Sequence, residues 1–255
     1  MSLELVILCF AALAAGFIDA IVGGGGLVQT PATLVTLPQF PLAALLGTTK
    51  IPSFFGTSIA AVQYAKKVAL QWKLLAVMSA IAFAAAWLGS LTVSHTSNTF
   101  MKPVMFCILI LVVVYTYTKK DFGTSTAKNK DPKNELIYGA LFAAIVGFYD
   151  GFIGPGTGSF LVMFFISVLG FDFLKASAHA KFVNLATNTG SIIFFAASGN
   201  ILFYYAIPMA LCNLAGSFLG ARLAILKGNK FIRVFFLLVV CGTIIRFGYD
   251  IFLKK

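Results

Sequence analysis

The sequence predicts an all-α integral membrane protein with about eight long transmembrane helices and two short, broken half-helices, arranged as two tandem repeats. Of its 255 residues, 60% are hydrophobic and only 11% are charged, whereas soluble domains have about 45–50% apolar and about 25% charged residues. The mean hydropathy is +0.95, and apolar runs such as 5–21 and 74–91 approach the roughly 20 residues that a membrane-spanning helix needs. A glycine-rich motif that occurs twice indicates the repeat.

The first repeat, residues 1–118, begins with an apolar segment that we expect to be a retained helix. No Lys or Arg precedes this segment, whereas a cleaved signal peptide has a positively charged start. The region 26–66 is interrupted by prolines, and its first part, 27–38, is too short for a full span. The plain spans of this half are expected at roughly 4–22, 72–94 and 101–118.

The second repeat, residues 136–255, follows a polar, basic linker at 119–135 with the sequence KKDFGTSTAKNKDPKNE. GFIDAIVGGGG at 16–26 returns as GFYDGFIGPGT at 147–157, which is an offset of 131 residues. The same offset, without a gap, matches Lys50 with Lys181 and Leu88-Gly89 with Leu219-Gly220. We therefore predict a duplication, in which the short segment 158–170 is equivalent to 27–38.

The distribution of positive charge bears on how the two repeats are oriented. The formal net charge is +11, and the cations cluster in short loops, as the positive-inside rule expects of cytoplasmic loops. If each interrupted region crosses the membrane twice, the second repeat is inverted, and the linker shares the cytoplasmic side with Lys66, Lys67, Lys73 and the cluster at 222–233. If each region crosses only once, the repeats are parallel and that cluster falls on the wrong side. We favour inverted repeats in a bacterial inner membrane.

The glycine runs at 23–26 and 154–158 (GPGTG) are incompatible with an unbroken helix. Irregular backbone at membrane depth is tolerated only where it lines a cavity or is buried in protein. Paired interruptions in two halves are typical of a transporter's binding site, and the N–H groups at the start of the following half-helices suit an anion. The alternative is that these glycines only permit close helix packing.

Two carboxylates and one histidine are candidates for proton coupling. Asp19 and Asp150 each lie four residues before the glycines of their repeat, and an ionisable group inside a membrane is by default a functional hypothesis. His179 is one of two histidines and could relay a proton. The structural alternatives are that the carboxylates accept hydrogen bonds at the break or pair with a lysine, and that His179 is a hydrogen-bonded core residue.

Lys50 and Lys181 form the second equivalent pair, and each begins a longer helix rich in small and hydroxyl residues. Brought together by pseudo-symmetry, two lysines would attract an anion, although each could instead reach an interface or pair with Asp19 or Asp150. The candidate substrate-binding residues are Lys50, Lys181, Gly23, Gly24, Gly25, Gly154, Gly156, Thr49, Ser53, Asn184 and Asn188.

The duplicated GFxDxxxGxG segments, each followed by a lysine-containing segment, resemble those of the sulfite exporter TauE/SafE family, also called the 4-toluene sulfonate uptake permease (TSUP) family. The resemblance covers essentially the whole chain. It implies a multi-pass inner-membrane transporter for sulfite, sulfonates or related organosulfur anions. The first repeat has GGGG where the second has GPGTG, so the two repeats need not contact a substrate equally.

These observations favour a secondary transporter that moves a small anion by alternating access, coupled to protons. A passive anion channel is the alternative. An enzyme is not expected, because the chain has no HExxH, GxSxG or His/Cys cluster, and it has no P-loop to use ATP. We expect no cofactor, no metal and no nucleic-acid partner. The expected partners are the anion and the lipid bilayer, and a homodimer is left open.

Overall fold

The computed structural model describes residues 2–96 and 132–252, so the span predicted at 101–118 and most of the linker lie outside the described residues. The described residues form helices joined by turns and contain no strand. The helices are α1 (Leu3–Val22), α2 (Gly26–Thr36), α3 (Leu42–Ala65), α4 (Trp72–Ser94), α5 (Pro132–Phe152), α6 (Thr157–Ser167), α7 (Phe173–Ala197) and α8 (Phe203–Phe252). Helix α5 begins inside the stretch predicted as linker, with Pro132 at its first position, where the missing N–H costs nothing.

Four helices in the described part of the chain are long and apolar enough to cross a membrane: α1, α4, most of α5 and the first part of α8. Their outer faces carry large apolar side chains that the protein leaves uncovered, such as Phe10, Ile145 and Leu211, which are 70%, 70% and 68% exposed. In water such faces would be costly, and in lipid they are not. The predicted all-helical membrane protein is confirmed in this respect.

Helices α3 and α7 are as long as the spans but carry polar side chains that are buried in the protein. Thr48, Thr49 and Lys50 on α3 are at most 6% exposed, and Lys181 and Asn188 on α7 are at most 2% exposed. Lipid cannot solvate such groups, so the polar faces of these two helices are turned into the bundle.

Helices α2 and α6 are short, with 11 residues each. At 1.5 Å per residue, such a helix is about 16 Å long, roughly half of the 30 Å hydrocarbon core of a bilayer. Each follows a longer helix after a glycine-containing break, and the prediction of short segments at 27–38 and 158–170 is confirmed to within a few residues.

The helices begin at two opposite ends of the bundle. The first turn of α8 lies beside the start of α3, because the Leu202 N–H donates to Thr48 Oγ1 at 2.9 Å, and Tyr205 of α8 donates to Glu4 of α1 at 3.1 Å. At the other end, the Gln71 N–H before α4 donates to His179 near the start of α7 at 3.0 Å. Helices α1, α3 and α8 therefore run opposite to α4 and α7.

Helix α5 runs in the same direction as α4, as successive contacts show. Gly147 lies against Ala82, and one turn later Gly151 lies against Ala86, too close for either glycine to carry a Cβ atom. Small residues let helices in a membrane approach this closely. The end at which α4, α5 and α7 begin is called the basic end below. It carries Lys66, Lys67, Lys73, Lys175, Lys227 and Lys230.

Helix α8 is interrupted at Gly228, whose φ of 68° and ψ of −164° are not helical. On one side of this break Gly220 packs against Phe17 of α1. On the other side the Phe235 ring meets the same Phe17 ring edge to face, with 5.8 Å between the centroids. The chain therefore turns back at Gly228 and returns alongside α1.

The helix boundaries follow the offset found in the sequence. Helices α6, α7 and α8 start at residues 157, 173 and 203, each 131 residues after the starts of α2, α3 and α4 at 26, 42 and 72. Contacts among the described residues give the relative direction of three pairs of equivalent helices. The two helices of each pair run in opposite directions: α1 and α5, α3 and α7, and α4 and α8.

Candidate functional site

The site is built from the two breaks that end α1 and α5. Gly23 ends α1 in the left-handed region, with a φ of 78°, and its N–H donates to the Asp19 carbonyl oxygen at 2.8 Å. Gly156, the residue that precedes α6, has a φ of 85°. An L-residue with a side chain is strained in this region, which explains why both breaks are built from glycine.

The two breaks touch each other. The Ser159 N–H of α6 donates to the Gly23 carbonyl oxygen at 3.0 Å, and the Ser159 hydroxyl donates to the Val22 carbonyl oxygen at 3.1 Å. On the other side, Gly26 lies against the backbone of Pro155 and Gly156. Carbonyl groups freed at the end of one helix are therefore satisfied by the start of a half-helix from the other half of the chain.

Backbone N–H groups at the starts of the half-helices are unpaired among the described residues. In the described part of the chain, no acceptor lies in hydrogen-bonding geometry to the N–H of Gly26 or Gly158. Both residues line a cavity. The N-terminal ends of α2 and α6 therefore offer unpaired donors and the positive ends of two helix dipoles.

Two ion pairs connect the halves of the chain in a reciprocal pattern. Lys50 Nζ of α3 lies 2.9 Å from Asp150 Oδ2 of α5, and Lys181 Nζ of α7 lies 2.9 Å from Asp19 Oδ2 of α1. Each lysine thus pairs with the carboxylate of the other half. This is the arrangement that the sequence left open as the structural alternative for the two lysines.

The Lys50–Asp150 pair is buried, and its hydrogen bonding is incomplete. Lys50 Nζ donates to the backbone carbonyl oxygen of Asp150 at 2.6 Å. Its contact with Asp150 Oδ2 is close enough for charge attraction but is not aligned as a hydrogen bond, so this oxygen has no hydrogen-bond donor among the described residues. The two side chains are 7% and 4% exposed.

The Lys181–Asp19 pair is better satisfied. Lys181 Nζ donates to both Asp19 Oδ2 and the Asp19 backbone carbonyl oxygen. Asp19 Oδ2 also accepts from the Thr57 hydroxyl at 3.5 Å, and Oδ1 accepts from the Gly25 N–H at 3.4 Å. Three separate donors therefore hold this carboxylate in place.

A small, partly open cavity lies where the breaks and the first ion pair meet. Of the predicted residues, those that line it are Asp19, Gly23, Thr49, Lys50, Ser53, Asp150, Gly154, Gly156, Asn184 and Asn188. Gly24, Gly25, Lys181 and His179 are not in its lining. The structure thus brings one lysine, rather than both, to the cavity wall.

His179 lies apart from the cavity, in an aromatic environment near the basic end. Its ring contacts Phe165 and Phe171, with centroid distances of 5.4 and 4.9 Å. Nε2 accepts the Gln71 N–H at 3.0 Å, so Nδ1 carries the proton and donates to the Lys175 carbonyl oxygen at 2.8 Å. These contacts match the structural alternative for this histidine.

Sequence reasoning missed a buried polar network behind the cavity. Gln29 Nε2 of α2 donates to the Thr49 carbonyl oxygen at 2.9 Å, and Asn213 Nδ2 of α8 donates to Gln29 Oε1 at 2.8 Å. Gln29 and Asn213 are 1% and 3% exposed. Both are amides within apolar segments, and that signal could have identified them. Thr30, Ile153 and Thr157 also line the cavity and were not predicted.

The described residues contain no group of three or more His, Cys, Asp or Glu side chains that could hold a metal ion. What the cavity offers is one lysine in an ion pair, free backbone N–H groups and the Ser53 hydroxyl. The Thr49 hydroxyl and the Asn188 amide also line it, but they already donate to the Leu46 and Asn184 carbonyl oxygens. Together the lysine, the free N–H groups and the Ser53 hydroxyl can bind a small anion by charge and hydrogen bonds.

The chain is similar over most of its length to known proteins. The family model described as "Sulfite exporter TauE/SafE" matches residues 8–247. A "Probable membrane transporter protein ORF9" of Sinorhizobium sp. is 34% identical over 96% of this chain and 93% of its own. A "Probable membrane transporter protein" of Haemophilus influenzae is 35% identical (90% and 88%), and "Probable membrane transporter protein YfcA" of Escherichia coli K12 is 31% identical (97% and 91%). No solved structure matches.

Proposed function

The chain belongs to the sulfite exporter TauE/SafE family of membrane transporters, and on this basis we propose that it carries a small sulfur-containing anion, such as sulfite or a sulfonate, across a bacterial inner membrane. The sulfur oxyanion is suggested by the family description, and the charge and size of the substrate are suggested by the cavity. Neither argument distinguishes import from export.

One observation carries the proposal: the cavity wall combines Lys50 with the free N–H groups of Gly26 and Gly158. A tetrahedral or pyramidal oxyanion has several acceptor oxygens directed apart from one another. Donors from α2, α3 and α6 all line the cavity and suit such a ligand. An apolar or cationic substrate would leave these donors unpaired, which is costly in a buried site.

We infer that transport uses alternating access between two inverted repeats, residues 1–118 and 136–255. The opposite directions of equivalent helices and the shared offset of 131 residues support this interpretation. In transporters with inverted repeats, the site lies at the repeat interface near the bilayer midplane, between broken helices. The basic end, with Lys66, Lys73 and Lys227, would face the cytoplasm together with the linker 119–135.

We further propose that transport is coupled to protons. Asp19 and Asp150 are ionisable, line the cavity and each contact a lysine. A carboxylate in this position can bind a proton in one access state and release it in the other. An anion then moves together with a positive charge, which reduces the cost of bringing its charge into the bilayer.

The test is uptake into proteoliposomes that contain the purified protein. A panel of labelled anions (sulfite, thiosulfate, an alkyl sulfonate and, as a non-sulfur comparison, a carboxylate) is presented with and without a pH gradient. We expect saturable transport of at least one sulfur oxyanion, at a rate that responds to the gradient. Transport that neither saturates nor responds to the gradient would instead support a passive channel. No transport of any anion in the panel would contradict the proposal.

A further inference from the structure

We propose that the two equivalent carboxylates have different roles: Asp150 binds the coupling proton when an anion occupies Lys50, whereas Asp19 stays ionised and holds the fold together. The inference rests on the proposed function, since it assigns the coupling within that same site. It starts from an asymmetry between two ion pairs that the repeat would otherwise make equivalent.

The two residues besides Lys181 that donate hydrogen bonds to Asp19 have equivalents in the second repeat, but these equivalents do not donate to Asp150. Thr57 and Gly25 donate to the Asp19 carboxylate, and the residues 131 positions later are Asn188 and Gly156. Asn188 Nδ2 donates to the Asn184 carbonyl oxygen at 2.8 Å instead. The Gly156 N–H donates to no acceptor in the described part of the chain. Both counterparts line the cavity, but neither donates to the Asp150 carboxylate, and only the Gly156 N–H is left unpaired there.

Asp150 consequently depends on Lys50 alone. Its Oδ2 atom is buried and has no hydrogen-bond donor among the described residues, while Lys50 Nζ lies 2.9 Å away. A buried carboxylate is stable only while its charge is compensated, and otherwise it takes up a proton. Asp19 accepts bonds from Lys181, Thr57 and Gly25, so losing any one of them leaves the others in place.

Other charged groups around Asp150 do not replace Lys50. Asp19 also lines the cavity and carries the same sign of charge, and Lys181 is occupied by Asp19. Tyr149, next to Asp150 on α5, donates its hydroxyl hydrogen to the Pro155 carbonyl oxygen at 2.6 Å. The described residues of α4 and α6 bring no ionisable side chain to this part of the cavity.

Binding of an anion to Lys50 therefore leads to protonation of Asp150. Lys50 is part of the cavity wall, so an oxyanion that enters competes with Asp150 for its ammonium group. As Lys50 turns to the anion, the Asp150 carboxylate loses its compensating charge and binds one proton, becoming a neutral carboxylic acid. When the anion leaves, Lys50 returns to Asp150 and the proton is released. One proton accompanies each anion.

The experiment compares Asp150→Asn with the matched variant Asp19→Asn, in a liposome that transports the anion identified with the wild-type protein. At zero membrane potential, a singly charged anion moving with one proton accumulates by about tenfold for each unit of pH difference across the membrane. We expect whatever counterflow exchange of the anion Asp150→Asn retains to show no dependence on the gradient. Whatever transport Asp19→Asn retains should show the wild-type dependence.

A second measurement needs neither transport nor the Asp19→Asn variant, so it remains decisive if that variant yields little folded protein. Infrared difference spectra with and without the anion should show, in the wild-type protein, the carbonyl stretch of a newly protonated carboxyl group. We expect Asp150→Asn to lose this band. A band that persists in Asp150→Asn, or accumulation that still follows the pH gradient, would overturn the inference. If the wild-type protein transports an anion without any proton dependence, the coupling fails but anion transport stands; if it transports no anion, the proposed function itself fails.

Discussion

Gly23, at the end of α1, and Gly158, in the first turn of α6, lie so close together that a Cβ atom on either would meet the backbone of the other. This contact joins the two breaks and forms one wall of the cavity. The two half-helices are therefore not independent features of two repeats, because each depends on the shape of the other.

Replacing Gly158 by alanine should destabilise the protein, because its Cβ would lie against the Gly23 backbone, which cannot move aside easily. Overpacking of this kind costs about 1–3 kcal/mol. The matched control is Gly139→Ala on α5, whose Cβ would meet only the flexible ends of Leu74 and Met78. Thermal unfolding in detergent should show a lower midpoint for Gly158→Ala alone. Equal midpoints would mean that the contact between the breaks is unimportant.

Lys50→Ala and Lys181→Ala should each weaken transport, but for different reasons. Lys50 lines the cavity, and a hydrogen bond to a charged group contributes about 1.5–3 kcal/mol. Its loss should therefore weaken anion binding by about tenfold or more. Binding can be measured by the anion's protection against thermal unfolding. Unchanged binding by Lys50→Ala would exclude the lysine from the anion site.

Lys181 is 1% exposed and is held by Asp19 outside the cavity lining, so its removal should act on folding. Breaking a buried ion pair by deleting one partner costs about 3–5 kcal/mol, and we expect the loss here to lie toward the lower end of that range, because Thr57 and Gly25 still donate to Asp19. The double variant Lys181→Met/Asp19→Asn should recover much of the lost stability, and a double-mutant cycle measures the coupling. Additive losses in the two single variants would show that the pair does not stabilise the fold.

Asn213→Ala should destabilise the protein by removing the donor to Gln29 Oε1. A buried acceptor left without a partner costs about 1–3 kcal/mol. Leu211→Ala is a suitable control on the same helix, because Leu211 is 68% exposed on the outer face. The midpoints of thermal unfolding in detergent distinguish the two variants. If Asn213→Ala is no less stable than Leu211→Ala, the network has no structural role.

His179→Phe should lower stability without changing how transport depends on pH. Phenylalanine fits the aromatic surroundings of Phe165 and Phe171 but leaves the Gln71 N–H without its acceptor. The histidine lies outside the cavity lining, so no proton-transfer role is expected for it. Proteoliposome uptake measured across a range of pH values checks this. A changed pH profile in His179→Phe would restore the histidine as a candidate proton relay.

Much of this protein was predictable because lipid imposes strong rules on sequence. Helix α1 was expected at 4–22 and is Leu3–Val22, and α4 was expected at 72–94 and is Trp72–Ser94. Long apolar runs have few alternatives to a helix when the bilayer offers no hydrogen-bond partners. The breaks at Gly23 and Gly154 were also predictable, since glycine runs cannot continue a helix within lipid-soluble segments.

The sequence by itself thus determined the class of protein, the approximate bounds of its helices, the positions of both breaks and the residue types available there. Only the tertiary structure decided that Lys50 reaches the cavity while Lys181 does not, that each lysine pairs with the other half's carboxylate, and that Asp19 has donors which Asp150 lacks. The physical reason is that hydrogen bonds and ion pairs depend on distances of a few ångströms between residues about 100 or more positions apart. A local pattern specifies which groups must find partners, but the packing of the helices decides which partner each one finds.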